Sequence, residues 1–304
     1  MTNVSEQPGL VTATFSQRMR LRLDDGREVT GRLKGKKLRP VCGDRIEARA
    51  IPNEPEWLVT AILPRRNELT RPDKRGQVEV LAANIGLIAA VTSDRPATDW
   101  YIVDRYVAAA ELMGASAVIV FNKTDLAPAS GSSEAELGVF TNIGYTTIRC
   151  SAKSGENIDQ LRRALHHSTS IIVGQSGVGK SSLINALVEG ADQDTARLSQ
   201  SSGEGRHTTV NSVMWSLEGG GTVIDSPGVR DYAPAIDAAE RVAWGFREIA
   251  ALADECRFAN CRHMREPDCA VKEAVASETI SHRRYESYRR LFILADDAAQ
   301  SNRG

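Results

Sequence analysis

Gly174 to Ser181 reads GQSGVGKS, the G-x-x-x-x-G-K-S spacing of a phosphate-binding loop. It stands where that chemistry needs it, after the apolar run SIIV and at the start of the helical pattern SLINALV. Glycines let backbone N–H groups turn toward a phosphate, and the helix N-terminus adds partial positive charge. Lys180 is placed to reach β- and γ-phosphates, and Ser181 to ligate Mg²⁺. The expected cradle is Gly174, Gln175, Ser176, Gly177, Val178, Gly179, Lys180, Ser181 and Ser182. Further on, DSPG (Asp225 to Gly228) closes the run TVI. An acid there can hold Mg²⁺ through water, and the Gly228 N–H can meet a γ-phosphate. Between the two motifs lies SGEGRHTTV, a Gly- and Ser-rich loop without periodicity. Thr209, or alternatively Thr208, is expected to complete the Mg²⁺ shell, so that a triphosphate orders the loop.

A base pocket is legible upstream. NKTD, Asn122 to Asp125, follows SAVIVF. A carboxylate offers two acceptor oxygens, and guanine offers N1–H and N2–H₂ side by side, whereas adenine does not. Asp125 therefore favours guanine. Lys123 can lay its stem on the ring, and Asn122 can brace the phosphate loop. In CSAKSG, Cys150 to Gly155, Ser151 belongs to the pocket, the Ala152 N–H can meet guanine O6, and Lys153 can cover the other face. The order is unusual. The base motifs precede the phosphate loop, so the chain reads as a circular permutation of an ordinary GTPase domain. Pocket formation depends on where strand ends meet in space, not on chain order. The segment after Asp225 then runs directly into the C-terminal region, which nucleotide state could move. In many GTPases a glutamine follows the glycine of the DxxG motif; here Val229 stands there and cannot orient water, which predicts slow intrinsic turnover.

A second cluster, Cys256, Cys261, His263 and Cys269, reads C-x₄-C-x-H-x₅-C. Four N and S donors suit a closed tetrahedral zinc site with no open position for catalysis. Ordinary buried cysteines are the alternative on spacing alone. Cys42 and Cys150 have no partner in sequence and read as small apolar residues.

The elements around these residues follow from pattern. The 304 residues carry 38 Lys plus Arg against 39 Asp plus Glu, a net charge of −1, which excludes a globally polybasic nucleic-acid binder. At 41% hydrophobic and 25% charged the composition is that of a globular chain, and no apolar run reaches the ~20 residues of a membrane span. The first ten residues lack a basic start and an apolar stretch, and an odd count of five cysteines argues against a disulfide framework, so the cytoplasm is expected. Residues 1–12 read as disordered. Residues 13–70 alternate with frequent turns, as in a small β-barrel, ending in the polar linker RNELTRPDKRGQ. Met1 to Arg66 holds 13 basic and 8 acidic residues, a net of +5, with 8 of the basic ones between Arg27 and Arg49. Residues 71–232 alternate IGLIAAV, SAVIVF, TTIRCSA, SIIVG and TVIDS with helical stretches, which predicts a parallel sheet covered on both faces. Residues 233–304 read as mostly helical. Val242, Phe246, Ile249 and Ala253 recur at helical spacing, as do Tyr285, Tyr288, Phe292 and Ala295.

The permuted motifs, the barrel-like N-terminus and the cysteine cluster together resemble the bacterial small-ribosomal-subunit-dependent GTPase A family, over about residues 12 to 295. The resemblance implies an α/β P-loop GTPase domain, circularly permuted, with an N-terminal all-β OB-fold barrel and a C-terminal helical zinc-binding domain. It implies one structural zinc ion, Mg²⁺ with GTP, and a cytoplasmic, monomeric factor in late 30S maturation that binds 16S rRNA. It also supports His207, in the loop before the threonines, as the group that orients the attacking water; an exposed residue without that role is the alternative. Arg206 and Arg230 are weaker candidates for charge stabilisation. The basic barrel, and Arg283, Arg284, Arg289 and Arg290 of the last helix, are candidate RNA contacts. A permuted GTPase of the large subunit and a plain RNA-binding module are the competing readings. The barrel and cysteine cluster argue against the first, and an intact Lys180, Ser181 and Asp225 against the second.

Overall fold

The computed structural model describes residues 5–15, 18–35, 38–72, 78–127, 132–188, 212–225 and 239–301. Five strands open the chain: β1 (Gln7–Thr14), β2 (Arg18–Leu23), β3 (Glu28–Leu33), β4 (Arg45–Ala50) and β5 (Trp57–Ile62). β1 pairs with both β2 and β4, β2 with β3, β4 with β5, and β3 runs parallel to β5. The barrel is thereby closed. In β2 the alternation is regular: Met19, Leu21 and Leu23 are buried, and Arg18, Arg20 and Arg22 face outward. β1 begins at Gln7, so residues 7–12, expected to be disordered, belong to the barrel. Their opening Gln-Pro-Gly hides the strand. What orders it is ladder partners on both sides, with Val11 and Ala13 fully buried.

The segment expected to be a polar linker carries half of a hairpin, β6 (Glu68–Pro72) with β7 (Val78–Ala83). Buried Leu69, Ala82 and Ala83 hold it, and Asn67 ties it to the next strand, donating to Ile85 O at 2.8 Å and accepting from Ile85 N at 2.8 Å. Barrel and hairpin fit closely: a Cβ at Gly43 would lie 2.0 Å from Ala83 O.

The nucleotide-type sheet contains β8 (Leu87–Thr92), β9 (Ser116–Phe121), β10 (Thr146–Arg149), β11 (Thr169–Val173), β12 (Ser212–Ser216) and β13 (Thr222–Asp225), in the order β10-β9-β8-β11-β13-β12. β12 is antiparallel to β13; the other pairings are parallel. Helices α1 (Trp100–Leu112), α2 (Ser132–Asn142), α3 (Ile158–Leu165) and α4 (Lys180–Leu187) cover it. Ile88, Ala90, Ile119 and Phe121 pack with Tyr106 of α1 and Phe140 of α2. Ala89, Val91, Val118 and Val120 pack with Leu161 and Leu165 of α3 and Leu183 of α4. Burial on both faces is why these strands read as continuous apolar runs. Cys42 and Cys150 lie in these two cores as apolar residues. The polar-ended β12 is not legible as a strand. It is also the seam of the molecule, pairing with β1 at Ala13↔Val213 and Thr14↔Ser212.

The C-terminal unit comprises a 3-10 helix (Ala239–Gly245), α5 (Arg247–Ala250), a 3-10 turn (Ala253–Glu255), α6 (Ala270–Ala276) and α7 (His282–Ser301). The first helical pattern is thus broken after Gly245, because Phe246 is extended (φ −126°, ψ 100°). Gly245 presses on α1, where a Cβ would stand 2.9 Å from the Ala108 side chain. Tyr288, Phe292 and Ala295 line the core of α7 as expected. Arg283 and Arg284 are not RNA contacts. Arg284 is fully buried, donating to Asp104 Oδ1 at 2.8 Å and to both Glu248 oxygens at 2.7 and 2.9 Å, and Arg283 pairs with Asp104 and with Glu136. Ser287 also donates to Asp104. The sequence of α7 alone cannot show this, because the acids come from α1, α2 and α5. No helix of the described residues is long and apolar enough to cross a membrane.

Candidate nucleotide pocket and metal knuckle

β11 ends in buried Val173 and the chain turns at Gly174, where a Cβ would stand 2.4 Å from Val91 O of β8. Gly177 and Gly179 take φ of 84° and 97°, the left-handed region. Gly179 precedes α4 with no side-chain cap, so no capping side chain occupies the first-turn N–H groups. The Lys180 ammonium folds back over the loop, donating to Gly174 O and Gln175 O at 2.7 Å each. Ser176 and Gly177 are exposed at the tip, and Ser181 and Ser182 are exposed on the first turn of the helix. Gln175 Oε1 accepts from Asp99 N, the N-cap of α1, at 2.7 Å. A glycine-turned loop running into an uncapped helix N-terminus is the arrangement that an anion site requires.

The two base motifs meet this loop although they come from earlier in the chain. Asn122, buried, donates to Val178 O at 2.9 Å and accepts from Ala152 N at 3.1 Å. It therefore clamps all three loops. The Ala152 N–H, expected to face guanine O6, is turned to Asn122 instead: a half-buried amide takes the acceptor that lies beside it. Lys123 spans the loop, donating to Gly177 O at 2.5 Å and Arg95 O at 2.6 Å. Asp125 is exposed, and one of its oxygens is fixed by the buried Ser151 hydroxyl at 2.7 Å. Ser151 in turn accepts from Lys153 N and Ser154 N at 3.2 and 3.1 Å. Lys153 is exposed beside the pocket. One link has no signature in the sequence: Thr124 donates to Glu156 at 2.6 Å, joining the two base loops. Asp225 ends β13, parallel to β11, on the side of the phosphate loop. His207, Thr208, Thr209 and Gly228, with Arg206, Val229 and Arg230, lie outside the described residues.

Cys256, Cys261, His263 and Cys269 converge, their ligand atoms all within 4.8 Å of one another. Cys256 Sγ lies 3.8 Å from Cys269 Sγ, and His263 Nδ1 lies 3.5 Å from both. A tetrahedral zinc ion with Zn–S bonds of about 2.3 Å and Zn–N bonds of about 2.1 Å needs edges of about 3.8 and 3.6 Å. The donor set therefore fits. Burial pushes the Cys261 thiol up to about 12 and lowers the His263 imidazole, so an entering cation displaces thiol protons and meets a neutral ring. The knuckle is gripped from α7: Tyr285 donates to His263 O at 2.6 Å and Tyr288 to Arg262 O at 2.5 Å.

A permuted nucleotide sheet with a phosphate loop and paired base loops, a closed five-stranded barrel before it and a Cys₃His knuckle after it, defines the class: a circularly permuted P-loop GTPase. Residues 62–234 match the family model for RsgA GTPase. The small ribosomal subunit biogenesis GTPase RsgA of Actinobacillus succinogenes is 42% identical over 81% of this chain and 71% of its own length. That of Azotobacter vinelandii is 39% identical over 94% and 85%. Among solved structures, YjeQ from Thermotoga maritima aligns with a TM-score of 0.74 at 27% identity, covering 96% of this chain and 99% of that one. YloQ, described as a circularly permuted GTPase, shares the fold with a TM-score of 0.72. The chain belongs to the RsgA GTPase family, and it is a GTP hydrolase.

Proposed function

We propose that this GTPase acts in late maturation of the 30S ribosomal subunit, binding 16S rRNA and hydrolysing GTP slowly until the subunit accelerates it. The observation that carries the reading is the Asn122 clamp, which assembles phosphate and base loops into one guanine-type pocket in a chain whose relatives are named small ribosomal subunit biogenesis GTPases. In this reading Asp125, oriented by Ser151, selects guanine. Lys123 and Lys153 flank the ring, and residues Gly174 to Ser182 hold the phosphates. Lys180 leaves its carbonyls for the β- and γ-phosphates. Ser181, Asp225 and Thr209 hold Mg²⁺, which neutralises phosphate charge when bound. Gly228 meets the γ-phosphate and His207 orients the water. The knuckle holds one zinc ion as a structural element.

The division into a barrel (13–70), a GTPase domain (71–232) and a zinc unit (233–304), acting as a cytoplasmic monomer, belongs to the same reading. For rRNA the barrel offers the outward face of β2 and β3. Arg18, Arg20 and Arg22 stand in a row, and Arg32 lies opposite Arg18. Arg18 pairs with the half-buried Glu56 at 2.8 Å and Arg22 donates to the Ser216 hydroxyl at 3.3 Å, while Arg20–Glu28 at 3.9 Å and Arg32–Glu54 at 2.9 Å are exposed pairs. Such pairs contribute little and exchange readily for phosphate. Within the stretch from Arg27 to Arg49, Arg27 and Arg45 stand in exposed pairs of the same kind, with Asp25 and Asp24 at 2.7 Å. Phosphate release from GTP measured alone and with 30S, 50S or 70S particles tests the reading. Stimulation by 30S is expected; stimulation by 50S alone, or by none, overturns it.

A further inference from the structure

Trp244 is the most exposed large apolar side chain among the described residues, at 63% of its surface. Nothing in the nucleotide pocket or the metal knuckle uses it. Its exposure is not fraying, because Val242, Ala243, Gly245 and Phe246 on either side are all buried. Gly245 is wedged against Ala108, so the 3-10 helix carrying Trp244 is fixed to α1. Residues three apart eclipse in such a helix, which stacks exposed Arg241 on the same face as the indole. Arg105 stands one turn before Ala108 on the same side of α1, half-buried and without an ion pair among the described residues. Among the described residues Glu240 pairs with Arg262 and Glu111 with Arg247. An outward-facing indole on a rigid mount, with Arg105 one turn along α1 from the Ala108 that Gly245 meets, suits a flat ring attached to an anion.

We propose that Trp244 is a stacking platform for an unpaired nucleobase of RNA, with Arg105 taking an adjoining phosphate. The inference rests on the ribosomal reading above and adds to it a contact on the C-terminal unit, separate from the barrel. Its rigid mount means little backbone freedom is lost on binding. Stacking on an aromatic ring tolerates any base and is uncharged. Loss of the indole therefore weakens binding without altering its salt dependence, whereas loss of Arg105 lowers the salt slope.

The test uses the full chain and purified 30S particles. Binding is measured by co-sedimentation over a range of salt for wild type, Trp244→Ala, Trp244→Phe and Arg105→Ala. GDP affinity, which should match wild type in all three variants, serves as the control for folding. Trp244→Ala is expected to weaken 30S binding about tenfold with the salt slope intact, and Trp244→Phe to restore most of it. Ultraviolet irradiation of the complex should leave a nucleotide adduct on the peptide that contains Trp244. If wild type fails to bind 30S, the ribosomal reading falls. If it binds and Trp244→Ala binds equally well, or the adduct is to a ribosomal protein, the stacking platform is wrong and the ribosomal reading stands.

Discussion

Gly179 holds a φ of 97°, and a methyl group there would sit 2.3 Å from Asn122 Nδ2. Asn122 cannot retreat without releasing Val178 O and Ala152 N. Gly179→Ala should therefore cost about 1–3 kcal/mol of stability and loosen the pocket, seen as a lower melting temperature and weaker GDP binding in calorimetry. Asp125→Asn tests the base contact. An amide presents a donor where guanine presents donors, so GDP affinity should fall by about a hundredfold through loss of charge-assisted hydrogen bonds. XDP, with a carbonyl at that edge, should gain relative to GDP. Equal loss of both would show that Asp125 does not read the base. Pocket residues were legible because phosphate and guanine each demand particular groups at particular spacings. The turn of Ala152 N toward Asn122 and the Thr124–Glu156 link were not, because loop geometry settles which partner a polar group meets.

Elements are legible where burial is two-sided and obscure where it comes from a distant partner. β8, β9 and β11 announce themselves as apolar runs; β6 (ELTRP) carries few apolar residues, and β7 (VEVLAA) and β12 (SVMWS) mix apolar with polar positions without a clean period, so pairing defines all three. α7 shows the limit most clearly. Its arginines read as a polar face, but Arg284 is enclosed by Asp104 and Glu248, with Arg283 alongside. Removing one charge from a buried cluster leaves the others uncompensated. Asp104→Asn should then destabilise the protein by about 3–5 kcal/mol in urea unfolding. Arg289→Ala, whose partner is Glu286 of the same helix at 2.9 Å, serves as the comparison and should change little. A loss below about 1 kcal/mol in Asp104→Asn would mean that the cluster does not hold α7 to α1.

The three parts of the molecule are joined through named contacts. β12 pairs with β1 of the barrel, and α1 touches the phosphate loop at Asp99 and the C-terminal unit at Asp104 and Ala108. The sequence suggested that nucleotide state reaches the C-terminal unit through the segment after Asp225; α1 is a second physical connection, built from residues upstream of the phosphate loop. Metal loss should propagate along it. The hydroxyls of Tyr285 and Tyr288 hold the knuckle backbone, and both belong to the helix that carries Arg283 and Arg284. In the proposed zinc-bound state, loss of the ion removes the bonds that close the knuckle and loosens the grip of Tyr285 and Tyr288, leaving α7 to its apolar packing and the buried arginine pairs. Cys269→Ser should therefore abolish stoichiometric zinc in elemental analysis and split a single thermal transition into two. The C-terminal unit should melt first, and the GDP-stabilised sheet should melt at a temperature below that of the wild type. A zinc-free variant that still melted in one step at the wild-type temperature would show that the knuckle is a passenger on the fold.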